Sequence, residues 1–210
     1  MDKKLICFDL DGTLTQYSTW EAFNTRLGIT PEDDQRLFSL YKEGGLAYKD
    51  WMLELIKTYK ENGVVSKHDI ETMAEDIALR PEAQAAIDTA KAKGYQVILL
   101  SGSVDVIAKA IAARLGIGEW FSTNKAVWNE SHELVDIETM GDERDAKVLL
   151  LTEFCLKNDY ELSEVIAVAD GGNDTEVFKL TKGIVLGNNK ELAPLAWKQI
   201  ESLSELDVLV

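Results

Sequence analysis

The sequence predicts an α/β fold, a three-layer core built on a parallel sheet, with a helical cap inserted after the first strand. Short apolar runs at residues 5–8, 97–100 and 165–169 each end in small polar residues. That is the mark of strands buried on both faces. Helical apolar periods alternate with these runs: Val104, Ile107, Ala108, Ile111 and Leu115 follow the second, closed by Gly116. Val148, Leu151, Thr152 and Cys155 precede the third, and Val177 and Leu180 follow it. Strand and helix in alternation imply a parallel, Rossmann-like sheet, whose ligands bind beyond the carboxyl ends of its strands.

Residues 14–80 read differently. Trp51, Leu55 and Tyr59 are spaced helically, and Gly28-Ile29-Thr30-Pro31, Gly44-Gly45 and Asn62-Gly63 divide the region into about four helices. The division expected is a core of residues 1–14 and 81–210 with a cap of residues 15–80. Glu32-Asp33-Asp34 reads as the acidic first turn of a cap helix. Trp20, Trp51 and Tyr59 read as cap core, with a substrate aromatic cage as the alternative. Pro81-Glu82 starts the helix returning to the core. Segments 125–128 and 134–137, flanking Asn129-Glu130-Ser131-His132-Glu133, form a β-hairpin near the sheet edge.

With 210 residues the chain suffices for one core plus one insertion. Its 22 basic and 37 acidic residues give a net charge of −15, which argues against nucleic acid as a partner. Cys7 and Cys155 lie in apolar patterns and read as buried thiols; His68 and His132 stand alone and read as structural or solvated. No stretch reaches the ~18 apolar residues of a membrane span. A cytoplasmic protein without a membrane partner is expected, and oligomeric state leaves no mark.

The three strand ends carry Asp9-Leu10-Asp11-Gly12-Thr13, Ser101-Gly102-Ser103 and Asp170-Gly171-Gly172-Asn173-Asp174. Cleaving a phosphate monoester requires a positioned nucleophile, positive charge and a proton for the leaving alcohol. Asp9 can attack phosphorus to make an aspartyl-phosphate that water later cleaves. Asp11 can protonate the leaving oxygen if its pKa is raised above the usual ~3.9. Asp9, Asp170 and Asp174 offer the hard oxygens that Mg²⁺ prefers. Ser101 and the amides of Gly102 and Ser103 open a helix and form a phosphate cradle, or else an ordinary turn and cap. Thr13 and Asn173 are further phosphate-binding candidates. Lys147, near the start of its helix, can reach the same crevice or remain a surface lysine.

On these residues the chain resembles the haloacid dehalogenase-like hydrolase superfamily, whose first motif, Asp-x-Asp-x-Thr, matches Asp9-Leu10-Asp11-Gly12-Thr13. Ser101 resembles the second motif, Lys147 the third, and Asp170 with Asp174 the fourth. The resemblance implies a nucleophile and metal ligand at Asp9, and an acid/base and backbone-carbonyl ligand at Asp11. It implies a Mg²⁺ ligand at Asp170 and a positioning residue at Asp174. Asp11 separates phosphatases and phosphomutases from dehalogenases; cation-pumping ATPases share the motif but need membrane helices.

A cap between motifs one and two, with Ser-Gly-Ser in motif two, looks most like the phosphoserine phosphatase branch. Members of that branch usually carry a glutamate about where Ser18 stands and a cap arginine for the substrate carboxylate. Glu21 lies close by, Arg26 and Arg36 are candidate arginines, and Ala169 replaces a common glycine. The expected activity is hydrolysis of a small phosphorylated metabolite, phosphoserine first. Transfer of the phosphoryl group to an organic acceptor and a non-catalytic binding module are the alternatives.

Overall fold

Residues 3–63 and 65–209 are described in the computed structural model of the chain. Residues 1, 2 and 210 of the expected core and residue 64 of the expected cap lie outside the described residues.

The first strand, β1 (Lys4–Phe8), is followed by four helices, α1 (Thr19–Arg26), α2 (Pro31–Lys42), α3 (Tyr48–Asn62) and α4 (Lys67–Asp76). After α5 (Ala83–Ala92) the chain alternates through β2 (Tyr95–Val104), α6 (Asp105–Arg114), β3 (Glu119–Trp128), β4 (Leu134–Thr139), α7 (Glu143–Asn158) and β5 (Ile166–Ala169). A short α8 (Thr175–Phe178), β6 (Lys182–Leu186), β7 (Lys198–Ile200) and a terminal turn, α9 (Leu206–Leu209), complete it. Among the described residues no helix is long and apolar enough to cross a membrane.

The seven strands form one sheet in the order β4-β3-β2-β1-β5-β6-β7, parallel except for the β3–β4 pair. Successive side chains of a strand point to opposite faces, and here both faces are covered. Leu5, Cys7, Ile98, Leu100, Ala167 and Ala169 pack with Leu151 and Phe154 of α7. Ile6, Phe8, Val97, Leu99, Ile166 and Val168 pack into a second cluster with Ile87 of α5 and Ile107 and Ile111 of α6. These are the layers on either side of the sheet, and they explain why the three strands read as continuous apolar runs. The second cluster continues into the helical insertion through Phe23, Met52 and Leu55.

The insertion is tied to the core where it leaves and returns. Thr15 and Leu79 form an antiparallel bridge, and Arg80 N–H donates to Leu14 O at 2.8 Å. Local chemistry sets its helix ends. Thr30 Oγ1 accepts from Asp33 N ahead of Pro31, and Ser66 and Asp69 form a reciprocal capping box. The expected acidic turn at Glu32-Asp33-Asp34 is the first turn of α2.

Some expectations differ in detail. The helix returning to the core begins at Ala83, with Pro81 and Glu82 in the turn before it. The hairpin is part of the main sheet, because β3 starts at Glu119 and pairs in parallel with β2 before turning back into β4. Cys7 and Cys155 are buried free thiols, and His68 and His132 are exposed.

Candidate active site

The chain departs from β1 in two directions, through β2, β3 and β4 on one side and β5, β6 and β7 on the other. The carboxyl ends of β1 and β5 therefore flank the point where strand order reverses, the crevice in which open α/β sheets bind ligands. Asp9 sits at that point: its N–H extends the ladder by donating to Val168 O at 2.9 Å. Asp170 follows directly on β5, and Ser101 to Ser103 lie at the end of β2.

Lys147, fully buried on the second turn of α7, crosses the crevice floor. Its Nζ donates to Asp9 Oδ1 at 2.8 Å and to Asp174 Oδ1 and Oδ2 at 3.0 and 2.9 Å, with Glu143 Oε1 at 3.4 Å. Burial alone would drive this amine down, but Asp174, Asp9 and Glu143 outweigh it and hold it well above the usual lysine value. A buried cation so surrounded stays charged. Asp174, named among the expected metal ligands, accepts from Lys147 with both oxygens, because a buried ammonium needs several partners once removed from water.

Asp11 is oriented by the start of α1. Thr19 N–H donates to Asp11 Oδ1 at 2.7 Å and Thr19 Oγ1 to Oδ2 at 3.0 Å; Thr19 Oγ1 is also 2.6 Å from Ser103 Oγ. These donors favour the ionised form. Burial, aided by the Asp9 charge, prevails and pushes the Asp11 carboxyl up to about 7. Such a group holds a proton near neutrality and can release it, the property general acid/base work requires.

A divalent cation needs hard oxygens left free by the protein. Asp9 Oδ2 is buried without a hydrogen-bond partner, and burial and the nearby Asp170 raise the Asp9 carboxyl despite Lys147. Asp170 keeps only Oδ1 engaged, by Thr13 Oγ1 at 2.9 Å. Its carboxyl is raised by burial. Thr13, expected to bind phosphate, thus holds Asp170. Among the described residues no group of three or more carboxylate, imidazole or thiolate side chains is placed to hold a metal ion by itself. The protein therefore offers two carboxylates, which suits Mg²⁺, an ion that commonly takes one or two and completes its shell with water and phosphate oxygens.

The last residues of β2, where the sequence predicts a loop and the pairing with β3 shifts register instead, are held from several sides. Ser101 Oγ accepts from Ser103 N at 2.9 Å, while Trp20 Nε1 and Asn124 Nδ2 donate to Gly102 O at 3.0 and 2.7 Å. A Cβ at residue 102 would overlap the Glu143 carboxylate. Asn173 Nδ2 donates to Glu143 Oε1 at 2.6 Å. Glu143 therefore sits among Gly102, Asn173 and Lys147, three groups expected to meet a phosphate. Glu143, Thr19, and Arg80, which donates twice to Gly12 O at 2.9 and 2.6 Å, escaped the sequence reading. Only Glu143 left a signal, standing one turn before Lys147 on the same helical face.

Above these groups opens a cleft of about 450 Å³, walled by Asp11, Gly102, Asp170 and Asn173 on one side and by α1, α2 and α3 on the other. Trp20 and Trp51, expected as cap core rather than a substrate aromatic cage, pack in the insertion and also line this cleft. Tyr59 is core, its hydroxyl donating to Asn24 Oδ1. Ser18 and Glu21 line the cleft, whereas Arg26 pairs with Asp69 and Arg36 with Asp33 away from it.

The family model for haloacid dehalogenase-like hydrolases matches residues 6–179, and the chain belongs to that family. It is a phosphoric monoester hydrolase of the phosphoserine phosphatase-like branch. A phosphoserine phosphatase of Methanocaldococcus jannaschii is 26% identical over 84% of this chain and 82% of its own. One from Lactococcus lactis is 28% identical over 87% and 82%. A solved phospho-aspartyl intermediate analogue of phosphoserine phosphatase superposes over the whole of both chains with a TM-score of 0.83 and 25% identity. A substrate-bound phosphoserine phosphatase, 24% identical with a TM-score of 0.81, shares the fold.

Proposed function

We propose that the chain is a Mg²⁺-dependent phosphatase that hydrolyses a small phosphate monoester through an aspartyl-phosphate on Asp9. The observation carrying this reading is the Asp9 carboxylate, one oxygen held by Lys147 and the other buried without a partner at the switch point of the sheet. Asp9 attacks phosphorus and the bond to the ester oxygen breaks. Asp11 gives its proton to the departing alkoxide. Water then attacks the aspartyl-phosphate, loses a proton to Asp11, and releases phosphate with Asp9 restored.

Asp9 and Asp170, with the Asp11 backbone carbonyl, would hold Mg²⁺, which when bound neutralises phosphoryl charge. Lys147 supplies the resident positive charge, and Asp174 keeps it in place. Thr13 positions Asp170. The amides of Gly102 and Ser103, with Ser101 and Asn173, cradle the phosphoryl oxygens once the Glu143 carboxylate yields that place. Residues 15–80 act as the cap, hinged where Thr15 bridges Leu79.

Phosphoserine, the substrate named in the relatives, is the first ester to assay. Phosphate release should require Mg²⁺ and vanish in Asp9→Asn. Turnover surviving that substitution would sink the mechanism.

A further inference from the structure

The cap side of the cleft is aromatic and acidic. Tyr41 and Trp51 stack at 5.0 Å with planes 12° apart, and Tyr48 meets each at 5.6 Å, inclined by 70° and 80°. Rings set nearly at right angles make a corner presenting π faces, the surface an ammonium group prefers. Trp20, 6.5 Å from Trp51, brings this wall beside the end of β2 through its bond to Gly102 O.

Two carboxylates join the wall from the cap, Glu21 on α1 and Asp34 on α2. Asp34 accepts from Asn24 Nδ2 at 2.6 Å, and burial together with Glu21 pushes its carboxyl up. A cation between them would relieve that repulsion. Among the described residues, the charged side chains lining the cleft are six carboxylates and one guanidinium, Arg144, which lies 3.7 Å from Glu191. A ligand carboxylate directed at the cap would meet Glu21 and Asp34.

Resting on the phosphatase reading above, we infer that the substrate is the phosphate ester of an alcohol bearing a positively charged ammonium group and no carboxylate. The phosphate lies at Asp9 and the ammonium against the Trp20, Tyr41, Tyr48 and Trp51 wall. The bonds made and broken are those of the hydrolysis described above, and the ammonium takes no part in them.

The test compares kcat/KM for phosphocholine, phosphoethanolamine, phosphoserine and glycerol 3-phosphate, with p-nitrophenyl phosphate as reference. At least one carboxylate-free cation should exceed both phosphoserine and glycerol phosphate by about tenfold, the worth of one or two cation–π contacts. Glu21→Gln with Asp34→Asn should shrink that ratio. Choline should inhibit p-nitrophenyl phosphate turnover at about tenfold lower concentration than its neutral isostere 3,3-dimethylbutan-1-ol. Equal inhibition by the two, or a preference for phosphoserine or glycerol phosphate, overturns the substrate assignment while Asp9-dependent p-nitrophenyl phosphate hydrolysis leaves the phosphatase reading standing. No turnover of any ester overturns both.

Discussion

Gly12 and Asp170 meet so closely that a Cβ on residue 12 would stand 2.8 Å from Asp170 Cγ, inside van der Waals contact. Residue 12 also has φ +76°, a conformation that costs an L-residue roughly 1–2 kcal/mol. Gly12→Ala should therefore lower stability by about that amount and displace Asp170. The Mg²⁺ concentration for half-maximal activity should rise, on the order of tenfold or more for a cost of that size. Titration of phosphate release with Mg²⁺, beside a thermal melt, separates the two effects.

Lys147 is the cation paired with Asp9 and Asp174 among the described residues of the crevice floor. Lys147→Ala should cost about 3–5 kcal/mol of stability at neutral pH, because it leaves Asp9 and Asp174 buried without their partner. It should also slow turnover on the order of 10²-fold or more by removing a charge-assisted contact to the phosphoryl group. Burial raises both carboxyls, so they take up protons as pH falls and the stability deficit should shrink toward pH 5. Melts at pH 5 and 7.5 check this; a constant deficit would assign Lys147 a packing role.

Metal removal and pH should interact. Asp11, with a folded value of about 7 against 3.8 unfolded, holds a proton in the folded chain that the unfolded chain has released. Folding is thus favoured at low pH, and stability is lost as pH rises from about 4 through about 7, with Asp9 and Asp170 acting in the same direction. In chelator-treated protein the loss should be on the order of 4 kcal/mol, roughly 10 °C in melting temperature. Mg²⁺ should restore more stability at pH 8 than at pH 6, and Asp170→Asn should remove the difference.

Glu143 places a negative charge against Gly102 and Asn173, in the proposed phosphate cradle. Glu143→Gln should strengthen competitive inhibition by inorganic phosphate, roughly tenfold, since a like charge a few ångströms away opposes the anion. Inhibition constants measured for both proteins at one Mg²⁺ concentration decide it, and unchanged or weaker inhibition would place Glu143 outside the phosphate's path.

Much of this was legible in the sequence for a simple reason. β1, β2 and β5 are covered on both faces, so each reads as an apolar run that stops where the loop begins, and Asp9, Ser101 and Asp170 fall at those stops. β7 was not legible because it has three residues, two of them exposed. The first half of β3 is only partly buried and mixes Glu119 and Ser122 with aromatics. Thr19 and Arg80 act across breaks of eight and 68 residues on Asp11 and Gly12, contacts that no local pattern encodes. Trp20 and Trp51 read as packing residues, but a packed ring at a cleft edge does two jobs and its spacing reveals one.

The Trp20 indole N–H bonded to Gly102 O joins the aromatic wall of the cleft to the end of β2, the proposed phosphate cradle. Selectivity and turnover are mechanically linked at that bond. A grafted cap that changed residue 20 would remove one of the two donors to the Gly102 carbonyl and leave it to Asn124 Nδ2 alone, so cap and core are not fully separable in this chain. Variants that widen the substrate range by altering α1 should carry a compensating donor for Gly102, or lose rate on every ester alike.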